Sequence, residues 1–404
     1  MNKQKKLMIL GASILQLPAI VKAKDMGHIV IAVDMDENAL GFRYADKSLV
    51  ISTNDIQSVL VAAEELKVDG IITLASDMPM RTVATVSKKL NITGISIDSA
   101  IKATDKARMR DALLINGVPI PNYYEVIDFQ TYIRKSRNFN DKFIVKPTDS
   151  SGSRGIYLVE NPKDENELKY AFDYCTKYSK RGKIIIEEYM EGPEVSVETL
   201  SIDGEVHIIA ITDKLTTGAP RFVEMGHSQP STLPEEIIEE IESITKKAIE
   251  AIGIDFGPSH TEVIVTKEGP KIVEIGARMG GDNITTHLVP LSTGVDMVSA
   301  CICIALGEAP NIEKKYRKGS AIRYFKIPPG VIKSIAGIER ARNMEGIKNL
   351  HIGKSVGETV DETINSTSRI GYVISQGENA TQAIELCDRA ISRIHIILEK
   401  ECEK

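Results

Sequence analysis

The segment His260 to Arg278 constrains the fold of this chain more than any other. It reads His260-Thr-Glu262-Val-Ile-Val-Thr, then Lys267-Glu-Gly-Pro270, then Lys271-Ile-Val-Glu274-Ile-Gly-Ala-Arg278. Two runs rich in β-branched residues around a Gly-Pro turn predict an antiparallel hairpin. With the turn centred on Glu268, Glu262 stands opposite Glu274, with Cβ atoms about 4.5 to 5.5 Å apart. Period-two alternation puts His260, Gly276 and Arg278 on the same face and turns Val263, Val265, Val273 and Ile275 to an apolar side. Like charges placed so repel, and a cation relieves them. Hard carboxylate oxygens select Mg2+ or Mn2+, an ion that keeps waters and takes phosphate oxygens into its shell. The plain alternative is a solvated sheet face with incidental charges.

The rest of the chain falls into three stretches. In residues 1–104 short apolar strands (Leu7 to Leu10, His28 to Asp34, Ser48 to Ser52, Asp69 to Ala75) alternate with helical patterns, which predicts a parallel α/β sheet. Ile56, Val59, Leu60, Ala63 and Leu66 form one apolar helical stripe. The turn Gly11-Ala-Ser13 with Asp34 invites a dinucleotide reading, but the Gly-x-Gly-x-x-Gly that lets a backbone approach a pyrophosphate is missing, which counts against a dehydrogenase. Residues 105–310 are richer in hairpins, with Asp203-Gly204 a two-residue turn and a helix opening at Pro234. Residues 311–404 predict a small α+β unit, with strands near Ser320 to Ile327 and Ile370 to Gln376 and a last helix from Ala380.

Composition narrows the function classes. A net charge of −6 gives no basic field for nucleic acid or anionic lipid. No apolar run reaches the roughly 18 residues of a membrane span, so the expectation is a cytoplasmic protein. Five scattered cysteines without a C-x-x-C predict neither a disulfide frame nor structural zinc, and Cys301-Ile-Cys303 lies in an apolar helical run that reads as core.

Two further segments suit a nucleotide. Lys146-Pro147 precedes Thr148-Asp-Ser-Ser-Gly-Ser-Arg-Gly155, a Gly/Ser-rich loop whose N–H groups can meet phosphate oxygens while the lysine adds a point charge. It is not a Walker A loop, because the lysine comes first and a strand comes after. A hairpin turn is the competing reading. Glu187-Glu188-Tyr-Met190-Glu-Gly-Pro-Glu194 ends a strand in a Gly-Pro bend and can offer backbone groups to a base and a carboxylate to ribose.

In this order the segments resemble the ATP-grasp superfamily along nearly the whole chain. The resemblance implies an α/β and α+β architecture: a pre-ATP-grasp, Rossmann-like parallel sheet (1–104), an ATP-grasp domain of two α+β subdomains (105–310, its lid about 121–195) and a small C-terminal α+β domain (311–404). It implies that Lys106 and Lys146 contact ATP phosphates, that Ser150 to Gly155, with Ser151, Gly152, Ser153 and Gly155, is a mobile phosphate lid, and that Glu187 with the backbone of Glu188 and Met190 holds adenine. Glu194 takes the ribose, Glu262 and Glu274 bind two Mg2+ or Mn2+ ions, and Arg278 steadies phosphate and the carboxyl intermediate. Many members have Asn two residues after the second metal-binding Glu, where this chain has Gly276.

Lys214, Glu224, His227 and His260 are most similar to the L-amino acid ligase branch, and with Gly280 and Gly281 they are expected at the substrates, Gly280 and Gly281 through N–H groups at an oxyanion. The implied activity is ligation of a small-molecule carboxylate to an amine through an acyl phosphate, giving ADP and phosphate, by a chain that can pair as a homodimer. The alternatives are a purine-pathway relative such as phosphoribosylglycinamide synthetase or a carboxylating enzyme, and a regulatory module that binds ATP without chemistry.

Overall fold

Residues 4–399, with the exception of Ser151 and Ser153, are described by a computed structural model. Near the amino terminus four strands form a parallel sheet in the order Lys47–Val50, Ile29–Asp34, Lys6–Leu10, Gly70–Ile72. Leu7 to Leu10 are fully buried, because helices cover both faces of such a sheet and leave its strands no solvated side. In the helix Ile56–Leu66 the expected stripe buries Val59 and Ala63 and packs Leu60 and Leu66 beside them, while Ile56, its first member, is exposed. Asp34, whose place invites a nucleotide reading, accepts the Ala12 N–H at 2.7 Å. Its carboxylate braces the turn instead.

A second sheet is antiparallel, in the order Tyr123–Val126, Ile184–Glu188, Phe143–Pro147, Tyr157–Val159. The helices Phe129–Ser136 and Glu165–Tyr178 pack on it through Tyr132, Phe143, Leu168 and Ala171. This unit carries Lys146 and Glu187.

The largest sheet has eight strands, in the order Gly269–Gly276, Gly257–Thr266, Glu194–Ile202, Glu205–Thr216, Glu224–Gln229, Gly319–Tyr324, Gly371–Gly377, Ile347–Ile352. Asp203 and Gly204 both have positive φ, 51° and 81°, as a tight hairpin turn requires. The helix Glu235–Ile252 begins after Pro234 and buries Ile241, Thr245 and Ala248. The last three strands belong to the carboxy-terminal stretch, so the sheet runs through the boundary expected near residue 310. A final strand, His395–Leu398, pairs with Gly330–Ala336; it comes after the helix Ala380–Ile391, where the sequence pattern predicts no strand. Cys301 is buried on the core helix Met297–Ala305. No helix among the described residues is by itself long and apolar enough to cross a membrane.

A candidate nucleotide and metal site between two sheets

The hairpin pairs Glu262 with Glu274 and His260 with Gly276, but the turn is not centred on Glu268. Thr266 pairs with Gly269, Val265 with Pro270 and Val263 with Ile272, and the register then shifts between Glu262 and Val263. A bulge at Val273 supplies the extra residue that brings the two glutamates opposite each other. It also corrects the expected apolar side: Ile272 is buried with Val263 and Ile275, while Val273 is only half-buried. The Val273 carbonyl accepts from Arg110 Nη2 at 2.7 Å.

The two glutamates stand between two lysines. Lys106 Nζ lies 2.8 Å from Glu274 Oε1 and donates to the Ser150 carbonyl at 2.7 Å. It opens the helix Lys106–Ile115, whose N-cap Asp105 accepts from the Ala107 and Arg108 N–H groups. Lys214, buried in the strand Glu205–Thr216, is ringed by carboxylates: Glu194 at 2.5 Å, Glu262 at 3.0 Å and Glu224 at 3.8 Å. Burial opposes its charge, but these anions hold its pKa well above the usual lysine value. Burial also works against Glu262, yet Lys214 and His260 hold it well below the usual carboxylate range.

On the facing sheet Glu187 is buried between two cations, Arg110 Nε at 2.7 Å and Lys146 Nζ at 2.6 Å. Burial alone would raise its pKa; Arg110 and Lys146 outweigh it and bring it down to about 2. Lys146 is pushed the other way, because burial disfavours its ammonium more than Glu187 favours it. Glu188 donates its N–H to the Asn122 carbonyl at 2.9 Å, so that group is already engaged. Gly152 and Gly155 have φ of 66° and 79°, and a Cβ at Gly155 would come within 2.6 Å of Tyr178. Ser151 and Ser153 lie outside the described residues.

Arg278 donates through Nε to Asp77 of the amino-terminal domain at 2.8 Å. Burial disfavours its charge, and Asp77 restores it. The same pair fills the space beside Gly276, where an added Cβ would lie 3.0 Å from Asp77 Oδ1 and 3.1 Å from the guanidinium. His260 Nδ1 lies 2.6 Å from Glu198 Oε1; burial disfavours its charged form, but Glu198 raises its pKa to about 9. The Gly280 N–H, expected at an oxyanion, donates here to Glu198 Oε2 at 3.3 Å. Beside Gly281 the space is open. His227 Nε2 lies 3.2 Å from Asp282.

Arg110, Asp77, Glu198 and Asp282 therefore belong to this constellation, although sequence reasoning missed them. Arg110 alone had left a signal, a charged residue on the face of its helix shared by Met109 and Leu113.

The donor set fits a divalent cation. Glu262 and Glu274 offer hard oxygens side by side, each matched here by a lysine. Two carboxylates alone suit an ion that completes its shell with water and phosphate; among the described residues no group of three or more His, Cys, Asp or Glu is placed to hold a metal. Arg110 Nη1 and Thr148 Oγ1 are buried without a hydrogen-bond partner, and such groups in a polar cleft suit a ligand rich in oxygen.

Residues 139–287 match the family model of the ATP-grasp domain, and residues 323–399 that of the L-amino acid ligase C-terminal domain 2. The chain carries an ATP-grasp domain. A relative named L-arginine-specific L-amino acid ligase, from Bacillus subtilis, is 25% identical over 72% of this chain and 71% of its own length. A phosphoribosylamine–glycine ligase of Methanococcus maripaludis is 27% identical over 65% of this chain and 64% of its own. The match thus spans about two thirds of the length of these relatives. The solved L-amino acid ligase of Bacillus licheniformis shares the fold of the ATP-grasp chain, with a TM-score of 0.83, 23% identity and coverage of 99% of this chain and 100% of that one. ATP-grasp proteins use ATP and a divalent metal.

Proposed function

We propose that this ATP-grasp enzyme joins the carboxylate of an amino acid to an amine, with ADP and phosphate as the other products. The observation that carries the reading is the convergence of Lys106, Lys146, Lys214 and Arg278 with the opposed Glu262 and Glu274. Free carboxylate is a poor electrophile, and transfer of the γ-phosphoryl group of ATP gives it a good leaving group. Positioning and charge neutralisation then do most of the catalytic work.

In this reading Lys106 and Lys146 hold the phosphate chain, the loop Ser150 to Gly155 covers it, Glu187, Glu188 and Met190 line the adenine, and Glu194 takes the ribose. Glu262 and Glu274 would hold Mg2+ or Mn2+, two ions in all, which supply positive charge to the phosphates. Arg278 and the backbone at Gly281 steady the oxyanion, and Lys214, Glu224, His227 and His260 face the substrates. The carboxy-terminal domain match favours an amino-acid substrate, while the similarity to phosphoribosylamine–glycine ligase supports the second reading, a purine-pathway substrate.

An ADP-release screen with pairs of amino acids, with an amino acid plus phosphoribosylamine, and with bicarbonate separates the two. With the amine withheld, hydroxylamine should capture an acyl hydroxamate. Release of AMP and pyrophosphate would reject the acyl phosphate route. Sedimentation of the purified chain tests the proposed homodimer.

A further inference from the structure

Arg369 comes from the carboxy-terminal stretch, just before the strand Gly371–Gly377, and reaches back to the turn after Arg278. It meets Asp282 with two parallel bonds, Nη1 to Oδ2 at 2.7 Å and Nη2 to Oδ1 at 2.6 Å. Nη1 also donates to the Glu224 carbonyl at 2.9 Å and Nε to the Ser366 carbonyl at 2.8 Å. The guanidinium lies 3.7 Å from the centre of the Tyr324 ring. Four of the five N–H groups of an arginine are thereby engaged, so this side chain is a clasp and not a grip for substrate.

The turn it holds is one that would not keep its shape unaided. Asp282 and Asn283 have φ of 52° and 62°, two consecutive non-glycine residues in the left-handed region, a state that persists only when its surroundings over-determine it. Two residues upstream Gly280 is pinned from the other side by Glu198, and a Cβ there would come within 2.7 Å of Glu198 and His260. Gly281, between the two anchors, faces open space. Asp282 further meets His227, whose Nδ1 is buried without a partner.

We propose that Arg369 is a positioning residue: by clasping Asp282 it holds the Gly280–Gly281 turn at the reaction centre, so that the acyl phosphate meets the amine before water. This rests on the ligase reading. When the turn is loose, water attacks the acyl carbon, phosphate departs with the bonding electrons, and the carboxylate is returned with a proton lost to solvent. ATP is then spent without an amide.

The test measures amide formed per ADP released, with nucleotide affinity measured separately on a non-hydrolysable ATP analogue with Mg2+. In Arg369→Met the ratio should fall at least about threefold because solvent reaches a reactive intermediate, while nucleotide affinity stays within about threefold, since no nucleotide-contacting group has moved. Arg369→Lys, which keeps the charge without the fork, should recover part of the ratio. If Arg369→Met does not fold, Asp282→Asn carries the same readout. An unchanged ratio, or nucleotide affinity lost in parallel with amide formation, overturns the proposal. A wild-type enzyme that releases ADP with none of the substrate pairs would instead remove the ligase reading.

Discussion

Arg278 Nε and Asp77 Oδ1 lie 2.8 Å apart, and this bond ties the end of the glutamate hairpin to the loop between the strand Gly70–Ile72 and the helix Met80–Leu90 of the amino-terminal domain. Its partners are separated by 201 positions in the sequence. Asp77→Asn should leave the guanidinium in place but free to rotate. We expect kcat to fall by about 10- to 100-fold, the scale of a small misplacement of a reacting group, with the KM for ATP little changed. Steady-state kinetics with ATP varied decide the matter; a normal kcat would mean that Arg278 needs no such brace.

Glu274→Gln should abolish turnover in a folded protein, because a neutral amide cannot balance divalent charge beside the phosphates. Lys106 loses its ion-pair partner in the same variant. Circular dichroism should be unchanged while ADP release disappears. Ordinary turnover at ordinary Mg2+ would remove Glu274 from the metal site.

Acid should act through Glu187. Its pKa falls from 4.5 to about 2 on folding, so the unfolded chain binds the proton more readily. The stabilisation is fully present above about 4.5 and is lost as pH falls through about 2. Melting temperatures measured from pH 6 down to acid should therefore fall less steeply in Glu187→Gln than in wild type, although the variant starts lower because Arg110 and Lys146 remain buried without their anion. Parallel curves would show that the pair does not set the acid limit.

The two glycines after Arg278 should respond differently to the same methyl group. Gly280→Ala forces a Cβ against Glu198 and His260, an overpacking cost of about 1 to 3 kcal/mol, and its melting temperature should drop. Gly281→Ala meets nothing within 4 Å and should melt with wild type. Equal melting temperatures would place the Glu198–His260 pair farther from the turn.

The fold was legible where local pattern dictates it: strand alternation, the Asp203-Gly204 turn, the apolar stripe of Ile56–Leu66. The opposition of Glu262 and Glu274 was legible too, though by a route the sequence disguised. A two-residue turn and a bulge give the same pairing from the glutamates onward as a three-residue turn without one, and they diverge by one residue at every pair from Val263 to Thr266. The hidden part was long-range. Arg110 meets Glu187 across 77 positions and Asp282 meets Arg369 across 87, and no periodicity within a single chain records which distant charge a buried one will find.

The eight-stranded sheet has a consequence for anyone who would exchange parts between such enzymes. Gly226 pairs with Arg323 and His227 with Ile322, so a cut near residue 310 strips a hydrogen-bonded neighbour from the middle of the sheet. The truncated chain would expose the strand Glu224–Gln229 as a raw edge, a template for pairing with another copy. A graft that keeps the strand Gly319–Tyr324 with its host and replaces only the residues beyond Tyr324 would leave that seam closed, and the junction between donor and recipient would move from a loop to the interior of the sheet.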